Sequence, residues 1–275
     1  MTAHAEHGQA AYRRRLDWGL AGTRALVADA GPGDVAVVVD VLSFTTTLSV
    51  ALDRGIAVHP YPWATAEAPA YAAERGAVLA RGRRAGLAEG GGVSLSPASF
   101  EGVSGIDAVV LPSPNGSAIS FALRDAGLTV VGACLRNATA VGRWLAGIDN
   151  RVSVVAAGER WPDGSLRPAA EDLWGAGAVL HAMGSEAGGD ASPESRVAVA
   201  AFGAVRSELG TVLVECASGR ELVAAGFARD VEIAAAYDVS EVVPVLRGDA
   251  FVDAAEHPPR SPGTSSRGGR QRDEP

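Results

Sequence analysis

Residues 37–48 read VVVDVLSFTTTL: an apolar run, an aspartate at position 40, then hydroxyls at Ser43, Thr45, Thr46 and Thr47. The valines follow one another without polar alternation, which suits a strand buried on both faces. The continuation, TTTLSVALDRG, reads as an amphipathic helix closed by a glycine. An acid at the end of a buried strand, followed at once by hydroxyls, has two readings. It is an ordinary strand-to-helix turn with an Asp cap, or it is the floor of a site that handles a metal and an anion.

The same pattern recurs along the chain. Short Val-rich runs stand at VAVVVDVL, GIAVHPYP, AVLARG, DAVVLPS, LTVVGACL, RVSVVAAG and EVVPVL. Between them NGSAISFALRDAG, NATAVGRWLAG and AAEDLWGAGAVLHAMG read as helices, each ending in glycine, and residues 196–230 read as mostly helical. Strands alternating with helices predict an α/β fold with a mainly parallel sheet flanked by helices. Polar residues open the helix after VVVD, after AVVL (PSPNGSA), after TVVG (ACLRNATA) and, past a longer loop, after SVVAAG. In open α/β sheets ligands bind beyond the carboxyl ends of the strands, so these four junctions are expected to face one cleft.

Composition narrows the function. The 275 residues are 47% hydrophobic, enough to bury one large core or two small ones. The net charge of −8 gives no electrostatic case for a nucleic-acid partner. All 24 lysine-or-arginine positions are arginine, which excludes a Schiff-base lysine and the lysine of a nucleotide phosphate loop. Cys134 and Cys216 lie far apart and make no cysteine zinc site; they read as small buried hydrophobes. His59 and His181, the histidines of the body, lack metal-ligand spacing. Residues 1–13 are expected to be flexible, 14–252 to form the α/β body, with room for two subdomains, and 253–275, rich in Pro, Gly, Ser and charge, to be a disordered tail. The opening residues lack the apolar core of a signal peptide. No apolar run approaches the ~20 residues of a membrane span. The chain is therefore expected to be cytoplasmic with no membrane partner; a homodimer is the general expectation.

Candidate site residues follow from the junctions. Thr45, Thr46, Ser113, Asn115, Gly116, Ser117, Asn137 and Thr139 stand near helix N-termini, where free N–H groups and the dipole favour phosphate, sulfate or carboxylate. Each alone also makes an ordinary cap. Arg136 and Arg160 lie in the same loops and carry the planar fork that pairs with oxyanions. Asp40, Glu171 and Asp172 offer carboxylates of the kind Mg²⁺ accepts alongside water and substrate phosphate, with Glu159 and Asp163 as alternatives nearby. Acids in a first helical turn equally serve the dipole. The common templates of phosphoryl and acyl transfer are missing: Leu42 occupies the second acid position of a DxD motif, and Ala140 stands six residues after Cys134 where a cysteine phosphatase needs arginine.

Taken in order, the motifs resemble the 2-phosphosulfolactate phosphatase family. DVLSFTTT is similar to its D-V-L-R-A-T-(T/S), VSLSPASF to its G-N-S-P-x-x-F, and LPSPNGSAI to its T-x-N-G-T-x-A. GACLRNATAVG, the pair VVAAGERW and EDLWGAGAV, SGRELVAAG and DVSEVVPVL resemble its later segments, so the likeness covers about residues 15–250. The resemblance implies an α/β fold with the site in a cleft. It implies Mg²⁺-dependent hydrolysis of 2-phospho-3-sulfolactate to 3-sulfolactate and phosphate, on a route to coenzyme M. It assigns Asp40, Glu171 and Asp172 to the metal, and Thr45, Thr46, Ser96, Asn115, Gly116, Ser117 and Asn137 to the anion.

Three positions depart from that pattern. Ser43 stands where the family has arginine, Phe44 where it has alanine, and Leu95 where it has asparagine. Arg136 and Arg160 are expected to replace the lost cation as catalytic residues. A moved arginine would not hold the same substrate geometry, so another small phosphorylated acid is an alternative substrate. A non-catalytic anion-binding α/β protein is the alternative from a different class.

Overall fold

The Val-rich runs form the strands they predict, in a computed structural model that describes residues 9–62, 65–83, 92–184 and 189–255. The strands are β1 (Arg14–Trp18), β2 (Val35–Val39), β3 (Ala57–Tyr61), β4 (Val78–Leu79), β5 (Ala108–Pro112), β6 (Thr129–Ala133), β7 (Val152–Ala156), β8 (Glu159–Arg160), β9 (Leu166–Arg167), β10 (Pro244–Arg247) and β11 (Ala250–Asp253). Nine of them form one sheet in the order β1-β7-β2-β6-β10-β11-β3-β5-β4, and β8 with β9 makes a small hairpin. β1, β7, β2 and β6 pair in parallel. So do β3, β5 and β4. The antiparallel β10–β11 hairpin joins the two blocks. Three antiparallel pairings in succession reverse the direction, so β3, β5 and β4 run opposite to β2 along the ladder.

Side chains alternate across a strand, and β2 shows what this does. Val35, Val37 and Val39 pack into one core with Val131, Val154, Val179 and Phe202. Ala36 and Val38 pack into the other with Phe44, Leu48, Ile119 and Phe251. Helices Ala138–Ala146, Ala170–Ala182 and Pro193–Val205 belong to the first layer. Helices Gly19–Val27, Phe44–Leu52 and Gly116–Asp125 belong to the second. Burial on both faces is why the runs lack polar alternation. Gly55, Gly127 and Gly184 follow their helices with φ of 72°, 81° and 73°, the left-handed conformation expected of terminal glycines.

The reversed direction of β3, β5 and β4 would by itself carry the end of β5 away from that of β2. The helix Gly116–Asp125 compensates. It leaves β5 and packs on β2 and β6, which brings its first turn to the end of β2. Residues 196–230 are helical as expected, in helices Pro193–Val205, Leu209–Glu215, Ala217–Ala224 and Ala228–Ala235. Their first part corrects another expectation: Pro193–Glu215 is long and apolar enough, by length and composition alone, to cross a membrane. Arg196, Glu194, Arg206 and Glu208 interrupt it in sequence, which hid the run. At the N-terminus, Gln9 bonds both main-chain groups of Leu16, so residues from Gln9 onward are tied to β1. Of the residues expected to be flexible, 1–13, and of the expected tail, 253–275, positions 1–8 and 256–275 lie outside the described residues.

Candidate active site

Asp40 follows β2 directly and is 7% exposed. Its Oδ1 accepts the Phe44 N–H at 3.2 Å and its Oδ2 accepts the Gly116 N–H at 3.0 Å. One carboxylate thus ties the N-termini of helices Phe44–Leu52 and Gly116–Asp125. Gly116 makes the second bond possible: a Cβ there would lie 2.3 Å from Phe44 Cδ1 and 2.9 Å from Asp40 Oδ2. Burial, and then the neighbouring Glu159, push the Asp40 carboxyl up to about 7; the Phe44 and Gly116 N–H groups and Arg83 pull the other way.

The hydroxyls after Asp40 turn inward. Thr45 Oγ1 donates to the Asp40 carbonyl at 2.8 Å and accepts from the Asp40 N–H at 3.0 Å. Thr46 donates to the Val41 carbonyl and Thr47 to the Leu95 carbonyl. Their hydroxyls therefore build the turn, the habit of Ser and Thr beside free backbone groups. Ser117 donates to Leu111 O at 3.3 Å, and the main-chain N–H of Ser113 bonds Tyr61 O. Asn137 is closed as well: its Oδ1 accepts the Cys134 N–H at 2.9 Å and its Nδ2 donates to Val242 O at 3.1 Å. Thr139 bonds Asp238.

The acids do not gather as expected. Asp172 Oδ1 accepts the Val41 N–H at 2.7 Å and Oδ2 the Gly158 N–H at 2.8 Å, which staples the loop after β2 to the loop after β7. Burial, then Glu171 and Asp40, hold its carboxyl well above the usual carboxylate range. Glu171, one residue earlier on the helix, is also buried but lines a different cavity with Arg167, Trp174 and Cys216. Burial pushes the Cys216 thiol up to about 12, and Glu171 adds to it. Glu159 accepts a bond from Asn115 Nδ2 at 3.1 Å, and its carboxyl is raised by burial. Asp163 bonds Ser165 in the loop. Among the described residues no group of three His, Cys, Asp or Glu is placed to hold a metal. Asp40, Glu171 and Asp172 therefore do not converge as three ligands on one point: Glu171 lines another cavity, and each oxygen of Asp172, like each of Asp40, accepts one main-chain N–H.

Two cavities adjoin residues bonded to the Asp40 turn, one through Asn115 beside Gly116 and one through Arg83, which bonds Ser43. One, of about 250 Å³, is lined by Leu20, Arg24, Asn115, Glu159, Arg160 and Leu166. Arg160 is held there through Asn115 Oδ1 at 3.3 Å and the Pro114 carbonyl at 3.4 Å. The other, of about 240 Å³, is lined by Arg83, Ser94, Ser96, Phe227 and Asp230 among others. Ser96 donates to buried Asp230 at 2.5 Å. Arg136 joins neither cavity. Its guanidinium pairs with Asp53 at 3.1 Å, at the far end of helix Phe44–Leu52 from Asp40.

Arg83 and Asp230 escaped the sequence reading. Arg83 lies in RGRRAG, which resembles a solvated loop; Asp230 lies in a helix's first turn, where an acid already has a role. Only the fold brings them together.

The fold and these strand-end loops define an open α/β protein with a buried carboxylate between two helix N-termini and arginine-lined cavities beside it. The chain belongs to the 2-phosphosulpholactate phosphatase family, whose profile matches residues 23–249. It is 28% identical over 219 residues to a probable 2-phosphosulfolactate phosphatase of Thermotoga petrophila, covering 79% of this chain and 91% of that one. It is 30% identical over 225 residues to a protein of the same name from Deinococcus radiodurans, covering 80% and 91%. A third, from Carboxydothermus hydrogenoformans, is 29% identical over 211 residues, covering 76% and 84%.

Proposed function

We propose that this protein hydrolyses the phosphate monoester of a small acid, with 2-phospho-3-sulfolactate as the first substrate to test and 3-sulfolactate and phosphate as products. The observation that carries the reading is Asp40: a buried carboxyl raised to about 7, fixed between two helix N-termini. Such a place favours a phosphate beside it, since both helix dipoles point their positive ends there. In the reaction a new P–O bond forms and the P–O bond to the substrate carbon skeleton breaks, with a proton passing to the leaving oxygen. Asp40 acts in its ionised form, as the base for water or as the attacking group. Each of its oxygens keeps a lone pair beyond the N–H bond it accepts. Positioning and electrostatic stabilisation supply most of such catalysis. Mg²⁺ belongs to the proposal as a partner of the substrate's phosphate rather than of a preformed carboxylate cage, a mode this ion commonly uses.

The test is phosphate release from a panel of phosphorylated sulfonates and carboxylates, with Mg²⁺ and with EDTA. Turnover of 2-phospho-3-sulfolactate that EDTA abolishes is expected. Because ionisation of Asp40 is required, the rate should rise with pH through about 7, and Asp40→Asn should remove both the activity and that limb. Phosphate binding without turnover of any ester, at any pH, would make the protein a binder and overturn the reading.

A further inference from the structure

We infer that Arg83, held by Asp230 and Ser43, is the cationic residue that meets the phosphate group in this site. The inference rests on the phosphatase reading for the identity of the substrate, but its geometry stands apart from it. Arg83 Nε donates to Asp230 Oδ2 at 3.3 Å, and its Nη2 donates to Ser43 Oγ. Asp230 is itself buried and fixed: Oδ1 accepts from Ser96 Oγ at 2.5 Å and from the Ala98 N–H at 3.3 Å. The Phe227 ring lies 5.9 Å from the guanidinium carbon. The side chain is therefore anchored by its Nε edge and directed by its terminal nitrogen to Ser43.

Ser43 is the N-cap of the nine-residue helix Phe44–Leu52, and no side-chain cap bond forms at that end. A guanidinium at a helix N-terminus sets positive against positive, which is unfavourable without an anion. Asp230 offsets part of that charge. Asp40, three residues from Ser43, offsets less as it takes up its proton, and a phosphate would complete the balance. Arg83 acts on the Asp40 carboxyl, lowering it against the effect of burial. The cavity it lines also includes Ser94, whose Oγ accepts the Ser96 N–H and so keeps its own proton to donate, while the Ser99 hydroxyl is given to the Ser96 carbonyl. The two arginines favoured by sequence fit less well. Arg136 is paired with Asp53 at the other end of the same helix, and Arg160 is exposed across the Asn115 loop.

The experiment measures binding of inorganic phosphate by calorimetry and turnover of 2-phospho-3-sulfolactate, on the full chain and on Arg83→Ala, Arg83→Lys and Arg136→Ala. Arg83→Ala is expected to weaken phosphate binding about tenfold or more, the loss of one charge-assisted contact. Its KM should rise, added guanidinium should restore part of the rate, and sodium at equal ionic strength should not. Arg83→Lys should fall between, because lysine lacks the fork that holds both Asp230 and Ser43. Arg136→Ala should bind phosphate as the unaltered chain does. Should Arg83→Ala fail to fold, Arg83→Lys, with its thermal melt, carries the comparison. Unchanged phosphate binding and KM in a folded Arg83 variant, with the native chain active, would overturn the inference and leave the phosphatase reading standing. A native chain that binds phosphate through Arg83 but hydrolyses no ester would do the reverse. A native chain that neither binds phosphate nor turns over would overturn both.

Discussion

Asp172 uses both carboxylate oxygens on main-chain donors, Val41 N–H at 2.7 Å and Gly158 N–H at 2.8 Å. Removing it leaves two buried N–H groups without partners, and each such group costs about 1–3 kcal/mol. Asp172→Ala is therefore expected to destabilise the chain by about 2–5 kcal/mol in urea unfolding. Asp172→Asn keeps one acceptor and should cost less. Glu171→Gln, by contrast, leaves the two loops joined, so its unfolding midpoint should stay closer to that of the native chain. Here sequence and structure part in an instructive way. ED at the start of a helix marks two acids but not their directions, and neighbours on a helix point about 100° apart. Asp40 was legible as the special acid, since an acid ending a fully apolar strand has few uses. The arginines were not. Arg83 meets Asp230 across 147 residues of sequence, and no local pattern records such a pairing.

Helix Gly116–Asp125 begins where Asp40 Oδ2 accepts its first N–H. The fit leaves no room for a side chain at position 116, with Phe44 Cδ1 2.3 Å from an added Cβ. Gly116→Ala must push the Phe44 ring or the Asp40 carboxylate aside. Overpacking of this kind costs about 1–3 kcal/mol, and the displacement falls on the proposed catalytic group, so kcat/KM should drop about a hundredfold or more for a shift of order 1 Å. Gly177→Ala provides the contrast. Its Cβ would lie 2.1 Å from Ala198 O, between helices Ala170–Ala182 and Pro193–Val205. It should lower stability while a folded fraction keeps its pH profile. Activity lost in proportion to stability in both variants would remove the special role given to Gly116. These helices were legible from their spacing and terminal glycines. Strand β1 was not: its sequence RRLDW is polar because Arg15, fully buried, bonds Asp29 and Ser153. A buried charge satisfied by distant partners defeats any reading of hydrophobic periodicity.

The sheet as a unit depends on its last two strands. β10 pairs β6 at Val245–Val131, and β11 pairs β3 at Phe251–Val58, so the C-terminal hairpin is what connects the two parallel blocks. The run EVVPVL is visible as a strand in the sequence, but β6, its partner in the first block, lies more than a hundred residues earlier, and only the folded chain shows that it closes the sheet. Phe251 concentrates the dependence. It is fully buried, pairs across to β3, and meets Phe44 edge-on with ring centroids 6.2 Å apart. Phe44 in turn donates its N–H to Asp40. Phe251→Ala opens a cavity at the seam of the two blocks, and such a deletion costs about 3–5 kcal/mol. Packing at the seam reaches the site through Phe44, so the variant should lose kcat at temperatures where it is still folded. Val197→Ala, at a position 61% exposed on helix Pro193–Val205, is the matched control and should change neither. Urea unfolding followed by circular dichroism, with phosphate release measured below the transition, checks both parts. If Phe251→Ala unfolds early yet its folded fraction turns over at the native rate, the hairpin holds the blocks together without positioning Asp40.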